Sequence, residues 1–286
     1  MVPSGVGALP RRAELVLLGV LIVSLAAYAI TSIVYSRARV EQAERTLNTV
    51  ISHQNSLNLS FGDINTQLSS LNTSARFDSE QALALVDRSI SNSSLAVRTI
   101  NEDDRSLSSA SSDIHSASWL TALGHSSIDH TARRISHAQN ALAAARTIAA
   151  DQAQDGQFWR AMYLGLADFT ALSAQSSSGD IAGARTSLAR MKGEIDDAAG
   201  RADAPGLPSE LRALMADLQR FVDDYGKKLD AEAAGDDAGL AAADSAIDTD
   251  VAKIGTYDID HIGTEIDAFY KPLISRYNSE IAAATV

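Results

Sequence analysis

Residues 40–75 read VEQAERTLNTVISHQNSLNLSFGDINTQLSSLNTSA, and they carry the clearest pattern in the chain. One set of residues recurs at alternating intervals of three and four, which is the heptad spacing of a coiled-coil seam. The members of this seam are Val40, Ala43, Leu47, Val50, Gln54, Leu57, Phe61, Ile64, Leu68, Leu71 and Ala75, with Gln54 as the single polar residue. The spacing predicts one long helix that needs a partner helix, because an apolar stripe left in water would aggregate.

A second seam with the same spacing begins after a phase slip at residues 76–79. Asp78 and Gln81 have the spacing of a capping box, which predicts a new helix start. The second seam is more polar than the first and consists of Leu83, Val86, Ile90, Ser93, Val97, Ile100, Asp104, Leu107, Ser111 and Ile114. Nearly equal lengths and a short junction favour an antiparallel hairpin, a coiled-coil stalk over residues 36–117. A continuous rod that pairs with a second copy is the alternative, so the seam predicts either self-association or another protein partner.

Residues 15–35, LVLLGVLIVSLAAYAITSIVY, form a segment of 21 residues without a charge directly before the first seam. A bilayer core of about 30 Å needs roughly 20 helical residues. The segment therefore predicts a single transmembrane helix embedded in the lipid bilayer, preceded by a short cytoplasmic N-terminus over residues 1–14. A cleavable signal peptide with Ala27 and Ala29 at its cleavage site is the competing interpretation. Apolar character continues to Val34, however, beyond the roughly 7–15 residues typical of such a peptide.

The charges around this segment do not decide its orientation, because arginines stand on both sides of it. Its beginning resembles an export signal, and long domains that follow such a segment are translocated largely regardless of their charge. We therefore expect a single-pass protein of the cell membrane with its body outside the cytoplasm.

Composition supports an all-α fold for the whole chain of 286 residues. Aromatic residues make up 5%, and there are five prolines, so the chain lacks the aromatic density typical of strands. The net charge of −12 argues against a nucleic-acid partner, since an acidic surface repels phosphates. The absence of cysteine excludes disulfides, thiolate metal sites and cysteine nucleophiles.

Residues 118–286 are predicted to form a helical bundle or a short helical solenoid. We expect one helix over about residues 127–155, closed by Gly156, and another over about residues 158–175. Two Gly-Asp pairs, Gly179-Asp180 and Gly235-Asp236, stand 56 residues apart. In each pair the glycine is expected to end one helix and the aspartate to cap the next, which predicts two stacked αα-hairpins.

Two further features are expected in this part of the chain. Residues 204–209 are predicted to form a loop before a long helix whose apolar face consists of Leu211, Leu214, Leu218, Phe221, Val222 and Leu229. The last helix carries Ile262, Ile266, Phe269, Leu273, Ile274 and Tyr277, and Pro272 is expected to kink it.

Two clusters of side chains are candidates for a metal-binding or proton-binding site. The first contains four of the six histidines, His115, His125, His130 and His137, whose spacing is poor for a shared zinc ion and more typical of solvated surface residues. The second contains Asp258, Asp260, His261, Glu265 and Asp267. A divalent cation or a proton switch is conceivable there, but an acidic helix start explains the same residues more simply.

The sequence contains no phosphate-binding glycine loop, nucleophile elbow or zinc-protease helix. No residue is therefore assigned to catalysis, to a cofactor or to a metal, and the protein is not expected to be an enzyme. The leading hypothesis is a membrane-anchored extracytoplasmic helical scaffold or protein-interaction module. The alternative is an extracytoplasmic sensory domain that binds a ligand and signals through another membrane protein.

Overall fold

A computed structural model describes residues 11–72, 79–116 and 124–286, with side chains described for residues 23–57, 79–116 and 124–286. Within these ranges the chain forms seven α-helices and no strand, which confirms the all-α class. In chain order the helices are α1 (Arg11–Asn72), α2 (Ser79–His115), α3 (His125–Ser177), α4 (Ile181–Arg201), α5 (Ser209–Ala234), α6 (Asp237–Ile254) and α7 (Ile259–Thr285).

The first helix joins the expected membrane segment to the first seam without a break. It has 62 residues, or about 93 Å at ~1.5 Å per residue. In the part of the chain that the structure describes, no helix has the length and apolar character needed to cross a membrane. Residues 15–22, the beginning of the expected span, lie outside the described side chains.

The first seam is confirmed where its side chains are described. Ala43, Leu47, Val50 and Gln54 are almost completely buried. The members from Phe61 onward lie outside the described side chains, as do residues 73–78 with the expected cap at Asp78. The next helix begins at Ser79, in agreement with the predicted helix start.

The second seam is only partly as predicted: at several positions the buried residue is the one that precedes the predicted residue. The buried residues of α2 are Ala82, Leu85, Val86, Ser93, Ala96, Ile100, Asp103, Leu107, Ala110 and Ile114. Ala96, Asp103 and Ala110 thus replace the expected Val97, Asp104 and Ser111, which are half-buried. Helix α3 also packs against α2, where Gly156 lies against Ile90.

Gly156 does not end a helix, because α3 runs through it as one helix of 53 residues. The glycine is buried, and a Cβ atom added to it would lie 2.6 Å from Cγ1 of Ile90 on α2. Gly156 therefore allows two helices to touch, and the expected helices over residues 127–155 and 158–175 are a single helix.

The two predicted Gly-Asp turns are confirmed. Gly179 and Gly235 have φ angles of +76° and +66°, in the left-handed region that glycine adopts readily. Asp180 accepts a 2.9 Å hydrogen bond from the amide of Gly183, and Asp236 accepts a 3.0 Å bond from the amide of Gly239. Each aspartate thus caps the helix that follows, as expected from its type and position.

The described residues divide into two compact units. Those of Met1–Ser52, Asp103–Asn140 and Glu280–Val286 form the first unit. Arg39 of α1 lies 3.7 Å from Asp113 of α2 there, so this part of α1 lies beside the end of α2. The end of α7 and the first part of α3 complete the unit.

The second unit consists of the described residues of His53–Glu102 and Ala141–Ser279. Its cores join residues from several helices, as in a bundle. One core contains Phe158, Ala161, Ala198, Ala202, Leu211, Leu214, Met215 and Ile262. The other contains Leu172, Ala184, Leu188, Met191, Ile195, Phe221, Val222 and Leu229.

The apolar face expected on α5 is confirmed, but that of α7 is partly wrong. On α5 the expected residues are buried except Leu218, which is half-buried. On α7, Phe269 and Ile274 are exposed, whereas the polar-tipped Tyr270 is buried. The α7 helix contains Pro272 in its interior.

Candidate functional site

The histidines of the first cluster do not converge in the structure. His115 Nδ1 lies 2.7 Å from the carbonyl oxygen of Ser111, one turn earlier on the same helix. His125 lies 3.4 Å from Asp129, and His130 is exposed. Across the described residues, no three histidine, aspartate or glutamate side chains are placed to hold one metal ion.

The second cluster forms the beginning of α7. Asp258 accepts a 3.0 Å hydrogen bond from the backbone amide of His261, so it caps this helix. His261 and Glu265 lie 3.4 Å apart on an exposed face, and Asp260 and Asp267 are exposed as well. The arrangement is that of an acidic helix start.

A polar cluster that the sequence did not indicate joins α3 to α1 in the first unit. Glu44 accepts a 2.8 Å hydrogen bond from the hydroxyl of Thr131 and a 2.5 Å bond from Nη1 of Arg134. Nε of the same arginine donates a 2.8 Å bond to the carbonyl oxygen of Ala284 near the end of α7. Arg134 thus ties three helices together through one planar guanidinium group.

A neighbouring contact reinforces the end of α7. His137 Nδ1 lies 2.7 Å from Oε2 of Glu280, one turn after Arg134 on α3. His137 is therefore engaged with a carboxylate of the same unit, and its role is the attachment of one helix to another.

A second polar cluster surrounds Asp217 on α5, in the second unit. Only 2% of this residue is exposed, yet its carboxylate accepts a 2.7 Å hydrogen bond from the Tyr257 hydroxyl and lies 3.1 Å from Nζ of Lys253. Arg220 contacts the same carboxylate. Burial by itself raises the pKa of Asp217, but the bonds from Tyr257 and Lys253 and the charge of Arg220 together lower it.

A third polar cluster surrounds Asp155 on α3 and has the opposite electrostatics. Oδ2 of Asp155 accepts a 2.5 Å hydrogen bond from the hydroxyl of Tyr270 on α7. The other carboxylate oxygen, Oδ1, is buried without a hydrogen-bond partner among the described residues. Burial raises the pKa of Asp155 to about 7; the bond from Tyr270 opposes this effect, and the nearby carboxylate of Asp151 adds to it.

The two tyrosine–aspartate pairs show how local charge determines the state of a buried carboxyl group. Hydrogen bonds and cations lower the pKa of Asp217 despite its burial, whereas burial, with a smaller contribution from Asp151, raises the pKa of Asp155 to about 7. Burial also raises the pKa of Asp151. Asp155 is therefore a buried group that can gain or lose a proton near neutral pH.

Sequence reasoning missed both acids, although a signal was present. Asp155 stands three residues before Phe158, and Asp217 stands between Leu214 and Phe221. Both therefore fall on the buried stripe of their own helix, where an acid is unusual and must have a specific partner.

The first part of α1 carries a different feature, a run of exposed apolar side chains. The exposed fractions are 58% for Leu25 and 65% for Ile30, and Val23 and Val34 are similarly exposed. Further along the same helix, Leu47 is completely buried. Before Arg37 the exposed side of the helix is apolar. After Arg37 the apolar side chains are buried or half-buried and the helix is amphipathic.

Open grooves are present in both units. One groove of about 600 Å³ lies between α1 and the start of α3 and is lined by Val40, Glu44, Gly124, Ser126, Ser127, His130 and Thr131. Another, of about 560 Å³, lies between α5 and α6. Both are shallow and open to solvent.

The fold and these clusters define the class of the chain as an all-α helical bundle. Comparison with protein-family models, curated proteins and solved structures finds no match.

Proposed function

We propose that this protein is a bilayer-anchored helical scaffold that presents a protein-interaction surface outside the cytoplasm. The observation that carries the proposal is the exposed apolar beginning of α1, where Leu25 and Ile30 expose more than half of their surfaces among the described residues. A helix that is apolar on its exposed faces needs a nonaqueous environment, and a charge-free segment of 21 residues matches the thickness of a bilayer.

The geometry near residue 36 supports an anchor that is joined rigidly to the body. Helix α1 continues through this point without a break. Arg39 donates a 2.8 Å hydrogen bond to the Tyr35 hydroxyl and lies 3.7 Å from Asp113. Tyrosine and arginine are typical of the boundary between a bilayer and water, so these contacts suit the point where α1 would leave the membrane.

A binding or scaffold role is supported by the character of the polar clusters. Glu44 and Asp217 bind neighbouring helices and are occupied by arginine, lysine or hydroxyl groups of the same unit. Such clusters maintain a particular helix arrangement, which is what a surface for partners requires. The scaffold is proposed to act without catalysis.

Membrane anchoring is tested by introducing charge. Replacing both Leu25 and Ile30 by arginine should move the protein out of the alkali-resistant membrane fraction, because arginine near the centre of a span costs about 3 kcal/mol or more per residue. The matched control is Leu95→Arg, which introduces the same charge at a leucine of α2 that is 50% exposed. The control should remain in the membrane fraction. Extraction of the unmodified protein by alkali would overturn the anchor.

The location of the body is tested by labelling a single cysteine, since the chain has none of its own. Ser178→Cys places a thiol in the exposed turn between α3 and α4. A membrane-impermeant maleimide should label it in intact cells. Labelling only after lysis would reverse the proposed orientation. Leu172→Cys is the matched buried control, because that side chain is completely inaccessible in the folded body.

The sensory alternative predicts a ligand for the body. A thermal-shift screen of the full chain against small metabolites distinguishes the two functions, because a ligand that binds only the folded state raises the melting temperature, and the rise grows with the logarithm of its concentration relative to its Kd. A reproducible shift that is lost on changing the residues of one groove would favour sensing. The scaffold predicts no such shift.

A further inference from the structure

We propose that protonation of the Asp155 carboxyl group acts as a latch that holds helix α7 against helix α3 in the second unit. This inference does not depend on the membrane anchor. It rests on a buried contact between two helices that are far apart in the sequence.

The contact is enclosed and has a single hydrogen bond to Asp155. Both Asp155 and Tyr270 are 7% exposed, and the Tyr270 hydroxyl donates to Oδ2 at 2.5 Å. Oδ1 is buried without a partner among the described residues. A protonated carboxyl group tolerates this environment, whereas a carboxylate would lose the solvation of an unpaired oxygen.

The loop between α4 and α5 packs against Tyr270. Gly206 has a φ of +91°, and a Cβ atom added to it would lie 3.0 Å from the Tyr270 hydroxyl oxygen. The loop thus approaches the hydroxyl group closely through a residue without a side chain. Tyr270 is held between this loop and Asp155.

The groups that act on Asp155 offer no positive charge to a carboxylate. Helix α7 contributes the neutral hydroxyl of Tyr270, and α3 contributes the acid Asp151. Helix α2 contributes the apolar Ile90, which packs at the adjacent Gly156. Burial, opposed by the Tyr270 bond and assisted by Asp151, raises the pKa of Asp155 to about 7.

The sign of the pH effect follows from this direction. An unfolded or released aspartate has a pKa of about 3.9, so docked α7 binds the proton more tightly than released α7 does. Docking is therefore strongest in acid, weakens as the pH rises toward 7, and changes little above it. Between pH 5 and pH 8 the equilibrium constant for release should rise on the order of 100-fold.

Release of α7 would uncover apolar surface. Ile262 of α7 belongs to the core that also contains Phe158, Leu211 and Met215. Loss of the latch would expose these residues, so the proton state of Asp155 would control a hydrophobic surface inside the second unit.

Amide hydrogen exchange of the full chain measures the latch directly. Protection factors divide out the intrinsic effect of pH on exchange, so they report the opening equilibrium. The amides of residues 262–277 should lose protection on the order of 100-fold between pH 5 and pH 8. The substitution Asp155→Asn keeps an acceptor for Tyr270 but cannot ionise, and it should abolish this loss.

Two comparisons make the outcome decisive. In α4, the ratio of protection at the two pH values should be the same with and without Asp155→Asn. An equal change in α4 and α7 would mean that Asp155 acts on global unfolding, and it would overturn the latch. Unchanged protection of α7 in the unmodified protein would also overturn it.

Two further variants separate the latch from simple damage to the fold. Asp151→Asn removes the neighbouring negative charge and should reduce the pH-dependent loss without abolishing it, because that charge raises the pKa of Asp155. Tyr257→Phe removes the matched tyrosine–aspartate bond to Asp217. It should leave the pH ratio of α7 unchanged. A wild-type response in Asp151→Asn together with an altered ratio in Tyr257→Phe would contradict the proposal.

Discussion

Arg134 of α3 donates a 2.5 Å hydrogen bond to Glu44 of α1, across 90 residues of sequence. Both side chains are largely shielded from water, with 16% and 25% of their surfaces exposed. Removing one partner of such a pair costs more than removing one partner of a surface pair, because the charge left behind is shielded from water and has no counter-charge. The pair therefore identifies a contact on which the first unit depends.

The Glu44 contact can be tested by truncation. Glu44→Ala should lower the free energy of unfolding by about 2–3 kcal/mol, since it leaves Arg134 half-buried without its carboxylate. Glu41→Ala removes the partner of Arg45 on an exposed face and should cost less than about 1 kcal/mol. Denaturant unfolding of the full chain in detergent, followed by circular dichroism, measures both. Equal losses would contradict the proposed importance of the buried pair.

The close approach of α2 and α3 predicts opposite effects of alanine at two helical glycines. Gly156→Ala should destabilise the second unit by about 1–3 kcal/mol, because the new Cβ atom would lie 2.6 Å from Ile90. Gly193→Ala introduces the same group on α4 with no atom within 4 Å, and it should stabilise by roughly 0.5–1 kcal/mol. Melting temperatures of the two variants give the sign. In an Ile90→Ala background the cost of Gly156→Ala should shrink.

Because cations surround Asp217, we expect the free energy of unfolding to depend on pH in the acidic range. The pKa of Asp217 is lowered in the folded protein, so its contribution to stability is present above the unfolded value of about 3.9 and is lost as the pH falls below it. Asp217→Asn should cost about 2 kcal/mol at pH 7 and should flatten this acid dependence. Urea unfolding at a series of pH values measures both effects. An unchanged slope between pH 3 and pH 5 would count against the arrangement.

Removing either of the two helix caps should lower the free energy of unfolding by a similar, moderate amount. Asp180→Ala and Asp236→Ala each remove a side chain that accepts a backbone amide, and each should destabilise by about 1 kcal/mol. Asp237→Ala is the matched control, because this acid lies in the first turn of α6 and acts only through the helix dipole. Its cost should be below about 0.5 kcal/mol. A control as damaging as the cap variants would contradict the assigned roles.

Local patterns in the sequence accounted for much of the fold. The seam of α1 was predicted correctly from Ala43 to Gln54, since burial of a heptad face requires only a neighbouring helix. The turns at Gly179 and Gly235 were predicted correctly because a left-handed residue and a helix cap are properties of a few adjacent residues. The acidic start of α7 at Asp258 was interpreted correctly for the same reason.

The errors have a common cause in contacts between distant residues. Gly156 was expected to end a helix, but its role depends on Ile90 of another helix. The second seam was displaced by one residue at Ala96, Asp103 and Ala110, on a helix that also contacts α3. Asp155 was overlooked because its partner, Tyr270, follows 115 residues later.

The sequence by itself determined that the chain is helical, where most helices begin and end, and which segment is apolar enough to propose as a membrane anchor. Composition, periodicity and capping act over one or two helical turns, and they are therefore readable along the chain. Only the tertiary structure decided which glycine serves a helix contact, which acids are buried and what charge each carries. Those properties depend on burial and on neighbouring charges from other helices, and linear spacing does not encode them.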